Sequence, residues 1–222
     1  MMDIINRLKE PLIETLLLTF VPLLFSVFFG FIIGTIIYIT ADNGVIDTNK
    51  NIFIKIINKV SDALVNIFRS IPYLILLLWM IPLARLLTGT VLGWKAAVPS
   101  LVVSATPFFA RMTVLAFNEV NSGTIEASKA LGASTFDIVF KVLLRESKPA
   151  LLSSIAVTAI NLVSYSAMAG AIGAGGLGFE AYQYGLARPN PLLMYSSTIL
   201  IVIIVFVIQI IGDKLVKISD KR

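Results

Sequence analysis

The feature that most limits this chain is an apolar run from about Leu12 to Thr40. A helix needs about 20 residues to cross the hydrocarbon of a bilayer, whereas the core of a water-soluble domain is assembled from short apolar stretches broken by polar faces. The run also exceeds the ~7–15 apolar residues of a secretory leader and is read as a first membrane helix. Pro22, Gly30 and Gly34 lie inside it, residue types that membrane helices tolerate better than soluble ones. Further apolar runs follow at about 62–87, 96–117, 150–172 and 192–211, with Pro72 and Pro82 as kink positions in the second. Residues 52–57 fit either an interfacial helix or the start of the second run. The expected architecture is an all-α membrane protein, a single domain over residues 1–222 with about five transmembrane helices. Composition agrees, at 57% hydrophobic residues and a mean hydropathy of +0.91.

The chain contains neither cysteine nor histidine. That removes thiolate chemistry, disulfides, histidine-based triads and nearly all zinc, copper or haem ligation. The 13 acidic residues are scattered and form no compact ligand set, so neither a catalytic cluster nor a metal site is expected. A net charge of +5 in a membrane protein marks cytoplasmic loops and anionic headgroups rather than nucleic acid. With the N-terminus outside, Arg7, Lys9, Arg85, Lys95 and Arg188 fall on the external side. Lys50, Lys55, Lys59, Arg69, Arg111, Lys129, Lys141, Arg145, Lys148, Lys214, Lys217, Lys221 and Arg222 fall on the cytoplasmic side. Five against thirteen predicts an N-terminus outside and a C-terminus in the cytoplasm.

The polar segment 118–149 carries the most information. Asn121 to Ser134 reads as a short helix stopped by Gly132, which can adopt the left-handed conformation that closes a helix. Ser134 and Asp137 then form a Ser-x-x-Asp pattern that opens a second helix leading to Pro149. Two short helices meeting there would form a stiff knuckle. The small residues Ala127, Ser128, Ala130 and Ala133 would let it seat closely in a groove of another protein.

The pattern Glu126-Ala127-Ser128, followed four residues later by Gly132, resembles the EAA loop of ATP-binding-cassette (ABC) import permeases. In that family the loop is the coupling helix that docks on the ATPase subunit, with the pattern Glu-Ala-Ala-x-x-x-Gly, nine residues, then Ile-x-Leu-Pro. Here Glu126, Ala127, Gly132 and Leu144 match, Ser128 and Val142 replace Ala and Ile, and Arg145 stands where proline is usual. Phe68-Arg69-Ser70-Ile71-Pro72-Tyr73 resembles the entry to the second span of amino-acid importers. Residues 105–111, 165–178 and 182–185 look most like methionine-import permeases.

The resemblance implies a type I ABC importer permease fold in the bacterial cell membrane. It further implies a homodimer with two ATPase subunits that hold ATP and Mg, fed by an extracytoplasmic substrate-binding protein expected to be a lipoprotein. Coupling would fall to Glu126, Ala127, Ser128, Gly132 and Ala133. This chain itself would carry no cofactor and perform no chemistry. The alternatives are an ABC permease for another amino acid or a quaternary amine, or a secondary carrier or channel.

Residues 173–178 satisfy the G-x-G-x-x-G dinucleotide pattern, but an apolar span rather than a strand precedes them, and no acid follows at the required distance. A flexible re-entrant or loop segment at the outer end of the fourth span is expected instead. Within that span Asn161, Ser164, Tyr165 and Met168 recur at three- and four-residue spacing and share one face. A polar face in hydrocarbon must meet protein or water. Helix packing and the lining of a substrate pathway both satisfy that requirement. No charged residue lies deep in the fourth or fifth span, which argues against proton coupling.

Overall fold

The computed structural model describes residues 2–42, 44–46 and 52–220, with side chains from residue 6 onward. Lys50, Lys221 and Arg222, part of the charge count above, lie outside the described residues. Every regular element described is helical. In chain order they are α1 (Met2–Ile39), α2 (Ile52–Ser70), α3 (Tyr73–Trp79), α4 (Ile81–Thr88) and α5 (Trp94–Asn118). The short α6 (Ser122–Ala130) and α7 (residues 135–146) follow, α7 widening to a π-helix over Ile138–Leu143. The chain ends with α8 (Lys148–Gly170), α9 (residues 176–187, π-helical over Gln183–Ala187) and α10 (Pro191–Ser219).

Among the described residues α1, α5, α8 and α10 are long and apolar enough to cross a bilayer, and α2 with α3 makes a fifth crossing if the broken pair is counted as one. At a rise of about 1.5 Å per residue, α1 is about 57 Å long, nearly twice the thickness of the hydrocarbon.

Where one span was expected over 62–87, the chain forms three helices, and proline accounts for both breaks. Proline disfavours the α conformation in the residue before it. The chain leaves α2 at Ser70, and Pro72 is extended at φ −56°, ψ 134°. Pro82 sits in the first turn of α4, where its missing N–H would have had no helical partner. Residues 52–57 belong to α2. That helix turns Val65 and Asn58 inward and leaves Phe53, Ile56, Val60, Leu64 and Ile67 exposed along one stripe. The Asn58 amide donates to the Ile37 carbonyl at 2.7 Å and to Thr40 Oγ1 at 3.0 Å.

The described residues gather into two compact units. The first comprises Met1–Phe25, Ile71–Ala105 and Ala156–Ile211. Its core is built on Leu18, Tyr73, Leu101 and Leu162, with a second cluster around Leu8, Val163, Leu177 and Ile204. The second comprises Ser26–Ser70, Thr106–Ile155 and Gly212–Arg222. Its core centres on Phe117, which Phe31 and Tyr38 meet edge-on at 6.0 and 5.3 Å, and extends to Ile125, Ile138 and Leu143.

Within the second unit α1 crosses α5 at backbone distance. A Cβ on Gly30 would lie 2.8 Å from the Thr106 carbonyl oxygen, and one on Gly34 2.5 Å from that of Ala110. This is the small-xxx-small contact by which membrane helices associate through shape. Buried hydroxyls turn back onto their own helices: Thr15 to Pro11, Thr19 to Thr15, Thr113 to Phe109, Ser147 to Leu143 and Ser197 to Leu193, at 2.6–3.0 Å.

Candidate functional site

The segment around α6 is a capped knuckle. Asn121 opens it, its side-chain oxygen accepting the Gly123 N–H at 2.8 Å. Ile125 is its one buried residue and ties it to the core around Phe117. The helix closes with the Ala133 N–H on the Ser128 carbonyl and the Gly132 N–H on the Lys129 carbonyl, both at 3.0 Å. That paired closure needs a left-handed residue after the helix, and Gly132 supplies it at φ +81°. Lys129 Nζ reaches across to the Gly44 carbonyl at 3.1 Å. Glu126 and Ala127 are exposed, while Ser128 and Ala133 are half-buried.

Sequence reasoning passed over Leu131, which is 89% exposed at the tip of the knuckle. Its signal was present: it and Ile125 are the only large apolar residues between Asn121 and Ser134, and only Ile125 has a core to enter.

The start of α7 is pinned as the Ser-x-x-Asp pattern anticipates. Ser134 Oγ accepts the Asp137 N–H at 3.1 Å and donates to Asp137 Oδ2 at 2.6 Å. Lys141 pairs with the same carboxylate at 2.5 Å. The Lys141 hydrogen bond, and after it that of Ser134, lowers the Asp137 pKa to about 2. Where the resembled motif carries proline, Arg145 continues the helix, and the turn into α8 comes at Ser147.

On α8 the four candidate pathway residues share one face but differ in exposure. Ser164 and Met168 are exposed, as is Val157 two turns earlier, and Asn161 is half-buried between them. Tyr165 lies at the rim of this face, its ring stacked on Tyr73 at 4.8 Å and 17°. Tyr73 is buried and its hydroxyl meets Ser100 Oγ at 3.4 Å, so the residue after Pro72 gives the Tyr165 ring a fixed surface to stack on.

The glycine-rich turn after α8 is firmly held rather than flexible. The Gly176 N–H donates to Glu14 Oε2 at 2.7 Å and the Leu177 N–H to Thr15 Oγ1 at 2.8 Å. Gly173, Gly175 and Gly176 all have φ between 80° and 95°. Gly178 lies so close to α8 that a Cβ there would come within 2.3 Å of Ala167 Cα. The glycines serve backbone contact, and the helix before them is incompatible with a dinucleotide fold. No group of three or more acidic residues able to hold a metal occurs among the described residues.

A bundle of apolar helices carrying a capped, exposed knuckle defines a membrane transport component. The family of binding-protein-dependent transport system inner membrane components matches residues 49–222, and the chain belongs to that family. Methionine import system permease protein MetP of Bacillus subtilis (strain 168) is 52% identical over 168 residues, 76% of each chain. The probable D-methionine transport system permease protein MetI of Pasteurella multocida (strain Pm70) is 41% identical over 210 residues, 95% of this chain and 94% of that one. A chain from the MetNI methionine ABC transporter, solved in inward-facing conformations, superposes with a TM-score of 0.90 at 44% identity over 96% of both chains. An amino acid ABC transporter solved with histidines shares the fold at a TM-score of 0.69 and 22% identity. The all-α fold expected from the sequence, that of type I ABC importer permeases, is the one this chain adopts.

Proposed function

We propose that this chain is the permease subunit of an ATP-driven importer whose cargo is methionine. The observation that carries the reading is the α6 knuckle. Its Ile125 is fixed in the core and Gly132 closes it, while Glu126, Ala127 and Leu131 are presented outward. Such a helix has no internal reason to be exposed and fits a lever seated in a partner. The cargo is taken from the methionine permeases to which the chain is similar over most of its length.

On this reading the chain acts as one permease domain in a homodimer. Two ATPase subunits hold ATP and Mg, and an extracytoplasmic binding protein delivers substrate. The N-terminus lies outside and the knuckle and C-terminus in the cytoplasm, as the charge count supports. ATP binding closes the ATPases, draws on the knuckle at Glu126, Ala127, Ser128, Gly132 and Ala133, and rocks the helices between inward- and outward-open states. The face of Asn161, Ser164 and Met168, rimmed by Tyr165, would line the passage. Two-fold symmetry brings equivalent faces together and gives their polar groups the protein and water they require. A path without fixed charge suits a net-neutral zwitterion.

The test is uptake of labelled methionine by vesicles holding the permease with its ATPase and binding protein. Excess unlabelled methionine should suppress uptake. If it fails to compete while another amino acid does, the cargo is wrong. Glu126→Lys and Gly132→Asp should abolish ATP-dependent uptake, and normal transport by both would sink the coupling role.

A further inference from the structure

Phe140, Lys141, Leu144, Arg145 and Lys148 line a recess of about 560 Å³ along α7 and the start of α8. Phe140 and Leu144 form its apolar floor and the three cations its rim. The cations are exposed and line the same recess, Lys141 and Arg145 from α7 and Lys148 from the start of α8. Phe136, also exposed, extends the floor with its ring 4.4 Å from that of Phe140. The opposite side of α7 is anchored by buried Ile138, Val139 and Leu143 within the π-helical turn, so the recess cannot roll inward. A second recess of about 730 Å³ shares Arg145 and Lys148 and continues past Leu152 to Leu215 and Ile218.

The charges around these recesses are unevenly matched. Asp137 is engaged by Lys141 and Ser134. Glu146 and Asp220 border the second recess but not the first. Among the described residues Arg145 and Lys148 form no ion pair. Lys148 is also the first residue of α8, a helix long and apolar enough to cross a bilayer, so the recess lies where the chain enters hydrocarbon.

We propose that this recess is a binding site for an anionic phospholipid. Arg145 offers the planar fork that suits phosphate, and Lys148 a second cation beside it. Glycerol and the upper acyl chains would lie over Phe140, Leu144 and Phe136. A soluble partner would leave no reason for an apolar floor at the depth where hydrocarbon begins. Because α7 joins the knuckle to α8, a lipid held there braces the segment that transmits motion.

The test uses the intact complex of this permease with its ATPase, titrated in neutral micelles with phosphatidylglycerol or phosphatidylcholine and read by native mass spectrometry. Removing one cation at a membrane surface weakens binding of an anionic lipid about fivefold. The double variant Arg145→Gln/Lys148→Gln should therefore lose phosphatidylglycerol affinity by about twenty-fivefold, with phosphatidylcholine unaffected. The control Lys55→Gln/Lys59→Gln on α2 should bind as wild type. Equal loss in the control, unchanged affinity in the Arg145/Lys148 variant, or displacement of the lipid by inorganic phosphate each overturns the proposal. So does loss of the ATPase from the variant with lipid binding intact, which would make the recess a protein-docking surface.

Discussion

At the scale of single residues, glycine decides more than the polar side chains do. Gly34 has no room for a side chain, because the Ala110 backbone lies where its Cβ would be. Gly34→Leu should destabilise the chain by about 3 kcal/mol or stop it folding, since overpacked contacts against backbone cannot relax. Thermal unfolding in detergent should show this as a lowered midpoint, and an unchanged midpoint would refute the close crossing. Glu14 acts at a distance of 162 residues by accepting the Gly176 N–H. Glu14→Ala leaves that donor buried and unpaired at a cost of about 1–3 kcal/mol. Hydrogen exchange at Gly176 should then rise tenfold or more, whereas Glu14→Gln, which keeps an acceptor oxygen, should show less. Both roles were illegible in the sequence for one reason. A glycine's function lies in what approaches it, and that neighbour is distant in the chain. Gly30 and Gly34 read only as residues a membrane helix tolerates, and Gly176 and Gly178 as part of a misleading nucleotide pattern.

Among the elements, those whose cause is local were legible and those whose cause is tertiary were not. The closure of α6 at Gly132 and the Ser134 cap of α7 follow from residues three to five positions apart. The proline breaks around α3 were marked as kinks, yet a kink and a full break carry the same local signal. Only the surroundings choose between them. The four-residue stripe on α8 was legible as one face, but the stacking of Tyr165 at its rim on Tyr73 depends on a neighbour the sequence could not place. Two expectations belong here. Leu131→Ala should leave folding intact and weaken binding of the ATPase about tenfold, as truncation of an exposed apolar anchor does; equal affinity would remove Leu131 from the docking surface. The Asp137 carboxylate is held below its ordinary range, so its cap contributes fully above about pH 4 and is lost as pH falls toward 2. ATPase coupling should therefore be insensitive to this group from roughly pH 5 to 8, and Asp137→Asn should reduce coupling equally across that range. A coupling loss confined to the acid end would show that another group controls it.

For the whole molecule, the absence of cysteine makes the proposed two-fold arrangement directly testable. Met168→Cys puts one thiol on the exposed α8 face of each copy. Oxidation should give a disulfide-linked dimer on a non-reducing gel, and ATP should change its yield by several-fold as the passage opens. Leu86→Cys, also exposed but on α4, should give none. If the two variants behave alike, the passage is lined by other helices. Such opening requires helices to move past one another inside a bilayer, and the hydroxyls bear on how easily they can. Thr19, Thr113, Ser147 and Ser197 each satisfy their own helix, so these four donate no hydrogen bond across a helical contact, whereas Thr15 also accepts the Leu177 N–H and so pins its helix to the glycine-rich turn. A shift of register at those contacts breaks no donor's bond and strands no hydroxyl in oil. Their surfaces behave as dry bearings, held together by fit and free to slip by a fraction of a turn.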